Sequence, residues 1–296
     1  MIQLTAPIFI VYGFLTATIL SVWLPRSFNE TTRIPVWMML FGITALLGIY
    51  HGFVEPGGVL YLIWLGLCCH MIRLEGLSRY FRMLAGFVVI VLVAGLFLHK
   101  APFFSNPLVF DGFYFSEHSS AYYKHWNFDK AAAGAILLGY FGDVSRTMND
   151  WKKLDRKTFI VSFITIALSL VLAFLVGYIK FDLTFTPAFF VWAWANLFFT
   201  CMSEEALFRG FILKYLLLSS DRRRYKYKVV ILVGLLFGLA HFSGGTTYIL
   251  LATVAGTGYG LVYFLSGRIE SAILTHFILN VLHLLFFTYP YAGLIE

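Results

Sequence analysis

The sequence predicts an all-α protein, a polytopic bundle of about ten transmembrane helices. Its residues are 60% hydrophobic and 12% charged, and the mean hydropathy of +0.81 lies far from that of a soluble domain. Apolar runs of about 20 residues recur along the chain, which is the length a helix needs to cross a bilayer. Lys and Arg concentrate in alternate short loops, as they do on the cytoplasmic side of membrane proteins.

In chain order, the predicted elements begin with four spans at about 5–24, 35–53, 59–72 and 83–99. Residues 100–130 interrupt them, and their many aromatic side chains predict a segment at the level of the lipid headgroups. The short apolar run 131–141 predicts a thin or re-entrant segment, although a count of ten spans requires it to cross. Five further spans are expected at about 158–179, 186–217, 229–242, 247–265 and 270–288. These elements divide into an N-terminal transmembrane region, 1–157, and a core, 158–296.

The distribution of charge predicts the orientation and the partners. The basic loops are those near 26–33, 73–82, 146–157 and 222–228, together with Arg268. Their alternation places them in the cytoplasm and both termini outside. The net charge of +7 is therefore a product of membrane topology, and we expect the lipid bilayer and not nucleic acid as the partner. The predicted location is the bacterial cytoplasmic (inner) membrane.

Three ionisable residues, Glu204, Glu205 and Arg209, lie in the middle of an apolar helix. A charge at membrane depth is costly and marks a functional site by default. Glu205 and Arg209 are spaced i and i+4 with the acid first, so they are expected to pair. Glu204 lies about 100° further round the helix and has no local partner, which makes it a candidate proton acceptor. A purely structural ion-pair network is the alternative interpretation of this stretch.

Polar groups also lie in two later spans. His241 ends the run from Phe237, and His276 and Asn280 share one face of the last helix. Counting residues from the span ends places Glu204 and these groups at a similar depth, in the cytoplasmic to middle part of the membrane. A carboxylate and an imidazole can deprotonate water, while a second imidazole and an amide can stabilise an oxyanion. This set of groups suffices for amide hydrolysis without a covalent intermediate.

The order and spacing of these residues resemble the three-motif signature of the CAAX protease and bacteriocin-processing (CPBP/Abi) family. The motifs are Glu204-Glu205-x-x-x-Arg209, Phe237-x-x-x-His241 and His276-x-x-x-Asn280. The resemblance covers about residues 158–290, and it implies an intramembrane glutamic endopeptidase whose catalytic core is the C-terminal half. It also implies that Glu205 and Arg209 support the site, and we group Phe237 with them.

The resemblance implies specific roles for the four remaining motif residues. Glu204 and His241 would activate water, and His276 and Asn280 would donate hydrogen bonds to the oxyanion. The expected substrate is a membrane-associated protein or peptide, and no cofactor is expected. Whether the substrate is prenylated is left open by the sequence.

Two alternatives accompany this interpretation. Two histidines and a glutamate can form a catalytic zinc site, although the sequence contains no His-Glu-x-x-His. A non-catalytic membrane scaffold or transporter could use buried charges as an ion path, but such a path predicts charges spread over many spans. The cysteines Cys68, Cys69 and Cys201 are expected to be small core residues, because their spacing gives no redox or metal motif.

Overall fold

The computed structural model describes residues 1–24, 34–218 and 223–293 of the chain. The basic loop predicted near 26–33 and Arg222 of the loop 222–228 lie outside these residues. Helices dominate the described chain, as the sequence predicts, and one short two-stranded sheet accompanies them.

Four helices occupy the positions of the first four predicted spans. They are α1 (Ala6–Leu20, continued by a 3₁₀ turn Ser21–Trp23), α2 (Val36–Tyr50), α3 (Pro56–Arg73) and α4 (Arg79–Phe97). Prolines stand in the first turns of α1 and α3, where the missing amide hydrogen costs no helical hydrogen bond.

The segment predicted at the headgroups contains an antiparallel β-hairpin, β1 (Leu108–Phe113) and β2 (Tyr122–His125). The all-α prediction is incomplete in this respect. Several of the aromatic side chains are core residues and not surface anchors: Phe110, Trp126 and Phe128 are fully buried. The ring of Trp126 lies 5.2 Å from that of Tyr12 on α1. The position of the hairpin relative to the headgroups stays a prediction.

Helix α5 (Phe128–Phe141) lies at the centre of the bundle. Nearly all of its residues are buried, and it contacts both halves of the chain. A Cβ atom added to Gly134 would lie only 2.5 Å from Oγ of Ser203. Helix α5 and the helix that carries Ser203 therefore approach as closely as small residues permit. This helix was expected as a thin or re-entrant segment over 131–141. It begins earlier, and protein surrounds it, so it needs no long apolar run to face lipid.

The C-terminal half folds into α6 (Met148–Trp151), α7 (Arg156–Leu175), α8 (residues 188–218), α9 (Arg223–Leu239), α10 (Gly245–Ser266) and α11 (Ile269–Phe286). The closest packing between two helices is that of α9 against α10, where glycines of α9 face threonines of α10.

Six of the described helical stretches are long and apolar enough to cross a membrane. They are Ala6–Trp23, Pro56–Arg73, Arg79–Phe97, Arg156–Leu175, Phe242–Ser266 and Ile269–Phe286, and Val36–Tyr50 is a shorter apolar helix. The chain is therefore a multi-pass membrane protein, while the count of about ten spans stays a prediction.

The two ends of the bundle differ in construction. At one end the hairpin is joined by the N-terminal residues, through the Gln3 amide to the Val109 carbonyl, and by the C-terminal segment, through the Ser120 amide to the Tyr291 carbonyl. At the opposite end, ion pairs link the helices, such as Lys214 with Asp143 at 2.7 Å. We call these the hairpin end and the ion-pair end.

Candidate functional site

The first motif lies on α8, which is a helix of mixed winding. Two π-helical stretches, Asn196–Cys201 and Ala206–Leu213, flank one α-helical turn, Met202–Glu205. π-Helical segments are rare and frequently mark functional sites, because the wider turn shifts side chains from their regular positions. Here the widened turn lets the thiol of Cys201 donate to Oδ1 of Asn196, five residues earlier, at 3.2 Å. The only α-helical turn between the two stretches carries both glutamates.

Glu205 and Arg209 form the predicted ion pair, and both side chains are 0% exposed. Nη1 of Arg209 lies 3.1 Å from Oε2 of Glu205, while Nη2 donates to the carbonyl of Gly256 at 2.5 Å. The guanidinium also lies over the ring of Phe237, at 4.7 Å. Oε1 of Glu205 receives a second partner, Nδ1 of His276, at 2.9 Å. Glu205 therefore connects α8 to α11 through Oε1, which contacts both Nη1 of Arg209, at 3.2 Å, and His276. Its Oε2 lies beside Arg209 but has no hydrogen-bond partner among the described residues.

Glu204 was expected to have no local partner, and its partner is a distant one. Nζ of Lys130, on α5, donates to Oε1 of Glu204 at 2.6 Å. The sequence does not reveal this partner because it lies 74 residues away and on another helix. Oε2 of Glu204 is buried without a hydrogen-bond partner among the described residues. It lies 3.9 Å from Nε2 of His241.

His241 was predicted inside a span, but it lies in the turn after α9 ends at Leu239. Its Nδ1 contacts the carbonyl oxygen of Phe237 at 2.7 Å. A carbonyl can only accept, so this contact assigns the proton of the neutral ring to Nδ1. Nε2, which faces Glu204, then carries the lone pair. The ring is held between Phe237, at 4.7 Å, and Tyr248, at 5.4 Å.

His276 and Asn280 lie one turn apart on α11, as predicted. Because Nδ1 of His276 contacts the carboxylate of Glu205, the same reasoning places a proton on Nδ1. Tyr259 stacks on the imidazole at 4.6 Å, with 15° between the planes, and fixes the orientation of the ring. The amide nitrogen of Asn280 donates to Oδ1 of Asn196 at 3.1 Å. The side chains of the first and third motifs thus contact one another across two helices.

A cavity of about 80 Å³ adjoins the motif residues. His241, His276 and Asn280 line it together with Tyr178 of the loop after α7, Phe237 of α9, and Tyr248 and other residues of α7, α10 and α11. Glu204 is not among the lining residues, and it reaches the cavity through its neighbour His241. The cavity is mainly apolar with a few convergent polar groups.

His241 lies nearer the hairpin end than its predicted place inside a span. The reason is that α9 begins at Arg223, several residues before the predicted start of that span. Lys130, the third residue of α5, lies towards the same end. The depth of the motif residues in the membrane stays a prediction.

Cys201 and Lys124 are site neighbours that the sequence reasoning did not recognise. The amide of Asn280 lies 3.6 Å from the thiol of Cys201, which was expected to be only a core residue. Lys124, on β2, is close enough to interact electrostatically with Glu204. Partial burial of this lysine, and then the like charge of Lys130, lowers the pKa of Lys124 to about 8. A charge in a hairpin dense with aromatic residues is a sequence signal that could have drawn attention to it.

Among the described residues there is no group of three His, Cys, Asp or Glu side chains arranged to hold a metal ion. Nδ1 of both motif histidines is already occupied, by the Phe237 carbonyl and by Glu205.

Comparison with known families gives one match. Residues 186–282, about a third of the chain, match the family described as Rce1-like, type II CAAX prenyl endopeptidase Rce1-like. The matched segment contains all three motifs, and it confirms the resemblance to the CAAX protease family. No curated protein and no solved structure matches the chain.

Proposed function

Since this chain is a multi-pass membrane protein whose residues 186–282 match the CAAX prenyl endopeptidase family, we propose that it is an intramembrane glutamic endopeptidase. It would hydrolyse a peptide bond of a membrane-associated protein or peptide. The observation that carries the proposal is the acceptor Oε2 of Glu204, which is buried without a hydrogen-bond partner among the described residues and lies 3.9 Å from Nε2 of His241. A water molecule beside both atoms would find two proton acceptors in an otherwise apolar surrounding.

In the proposed reaction, Glu204 and His241 take a proton from this water while its oxygen bonds to the carbonyl carbon of the scissile peptide. The tautomer of His241, with its proton on Nδ1, leaves Nε2 able to accept. The carbonyl oxygen becomes an oxyanion. When the carbon–nitrogen bond breaks, the proton held by the base passes to the leaving amine. No bond forms between the protein and the substrate.

His276 and Asn280 would stabilise the oxyanion, because both line the cavity next to His241. His276 has its Nδ1 proton on Glu205, so its Nε2 can donate to the oxyanion only when the ring is an imidazolium. The carboxylate of Glu205 lies beside both that imidazolium and the Arg209 guanidinium and attracts both. The second amide proton of Asn280, beyond the one donated to Asn196, is available to the substrate.

Glu205 and Arg209 would support the site and take no part in the proton transfers. Both are fully buried, and each contacts the other on α8 and one group of a neighbouring helix, which is His276 for Glu205 and the Gly256 carbonyl for Arg209. Glu205 would hold the imidazole of His276 in place, and Arg209 would hold α10 in place through the Gly256 carbonyl.

The zinc-dependent protease and the non-catalytic scaffold or transporter remain the competing proposals. A zinc enzyme would lose its activity on chelation. A transporter would produce no cleaved fragments. The bacterial inner membrane as location, and a substrate with or without a prenyl group, are also proposals.

The test compares the proteomes of membranes that contain the wild-type protein or Glu204→Gln. Glutamine retains the shape of the side chain and an oxygen for Lys130, but it cannot accept a proton. We expect Glu204-dependent fragments to fall about 10²–10⁴-fold. Glu75→Gln, an exposed glutamate between α3 and α4, is the matched control and should leave cleavage unchanged. Full cleavage by Glu204→Gln would refute the proposed function.

A further inference from the structure

Helix α5 brings a charged group to the site from outside the segment that matches the family. Lys130 is 14% exposed and its partner Glu204 is 8% exposed, so their contact is largely shielded from solvent. Residues 186–282 carry the family match, which means that Lys130 belongs to the other part of this chain. The mechanism proposed above assigns it no role.

The backbone at Lys130 is held in place by a buried carboxylate. Oδ1 of Asp129 accepts from the amide of Lys130 at 2.7 Å, and Oδ2 contacts Nδ1 of His99 at 2.7 Å. The close approach of Gly134 to Ser203 fixes the distance between α5 and α8 one turn further along. The ammonium group therefore extends towards Glu204 from a backbone that these contacts hold in place.

The contact with Lys130 makes the two oxygens of Glu204 different. Oε1 is occupied by Nζ of Lys130 at 2.6 Å, whereas Oε2 has no partner in the described part of the chain and faces His241. An ammonium group has three donors and no acceptor, so it cannot compete with the carboxylate for the proton of a water. It can hold the carboxylate in one orientation and balance its charge.

We propose that Lys130 is a positioning residue: it holds Oε1 of Glu204 so that Oε2 is the oxygen that accepts the nucleophilic water beside His241. The inference rests on the proposed function of Glu204. It extends the site into the N-terminal half of the chain, and it makes α5 a required part of the enzyme. A displaced carboxylate would slow the chemical step, because an error of about 1 Å in a reacting group costs on the order of 10²-fold in rate.

The experiment measures kcat and KM for three variants of Lys130 in the full-length purified protein. The probe is a synthetic peptide that spans a cleavage site found in the comparison of wild-type and Glu204→Gln membranes. Lys130→Met and Lys130→Gln remove the charge, and Lys130→Arg retains it. Lys124→Met is the matched control, because it removes a nearby positive charge that makes no hydrogen bond to Glu204.

We expect kcat to fall about 10²-fold in the two uncharged variants with KM unchanged, because Lys130 does not touch the substrate. Arginine should restore part of kcat, and Lys124→Met should remain close to wild type. A folded Lys130→Met or Lys130→Gln with the wild-type kcat would overturn the inference. So would a rise in KM alone, which would show that Lys130 binds the substrate.

If neither uncharged variant folds, Lys130→Arg decides, since it keeps the charge but displaces the donor nitrogens. A reduced kcat with unchanged KM and melting supports the inference, and a wild-type kcat overturns it. The outcome is separable from that of the proposed function. Activity of Glu204→Gln would refute the function itself, whereas an inactive Glu204→Gln with a fully active Lys130→Met would refute only the role of Lys130.

Discussion

Replacing Glu205 by glutamine should strongly lower the free energy of unfolding of the protein. Glu205 and Arg209 are both 0% exposed, and His276 shares the same carboxylate. The change leaves the Arg209 guanidinium buried without its counter-ion. Breaking a buried pair in this way costs about 3–5 kcal/mol. A loss of that size corresponds to a fall in melting temperature on the order of 10 °C.

Glu270→Gln provides the matched control for this measurement. Glu270 is 5% exposed, and its Oε1 accepts from Nε1 of Trp23 at 2.6 Å and from the amide of Ser145 at 2.5 Å. Its donors are neutral, and the amide oxygen of glutamine can still accept from them. We therefore expect a loss of about 1 kcal/mol. Thermal melting of both variants in detergent micelles measures the two losses of stability. Equal melting temperatures would refute the argument that the unpaired Arg209 guanidinium destabilises Glu205→Gln.

Three further predictions concern the hairpin and the cofactor. Trp126→Ala should lower the free energy of unfolding by about 3–5 kcal/mol, because the ring is fully buried. Tyr123→Ala should lower it by less than about 0.5 kcal/mol, because that side chain is 63% exposed; chemical denaturation measures both losses. The pKa of Lys124, lowered from 10.5 to about 8, means that the unfolded chain binds this proton more tightly. The stability of wild type relative to Lys124→Met should thus rise between pH 8 and 10.5, by about 1–3 kcal/mol, and a flat difference would contradict the assignment. Purified protein should keep its activity after thorough chelation, and zinc that tracks activity in elemental analysis would favour the zinc-dependent alternative.

The sequence indicated much of the fold because membrane helices have a strong local signal. Apolar runs gave the approximate positions of the long helices, such as α4 and α7, within a few residues of their observed ends. Helix α5 and the hairpin were less predictable, because protein surrounds them and their residues suit contacts with other protein segments more than contact with lipid. Burial of Trp126 against Tyr12 is an example, because it depends on a contact across 114 residues of chain.

By itself, the sequence determined which residues can form a site and which of them are neighbours on one helix. Spacing on a single helix brings Glu205 to Arg209, and spacing on another aligns His276 with Asn280, because helix geometry acts over one turn. Only the tertiary structure decided the partners across helices: Lys130 for Glu204, His276 for Glu205, and Asn196 for Asn280. Such contacts form because the packing of helices removes charged side chains from water. Each buried charge then requires a polar or oppositely charged partner, however far away in the sequence that partner is.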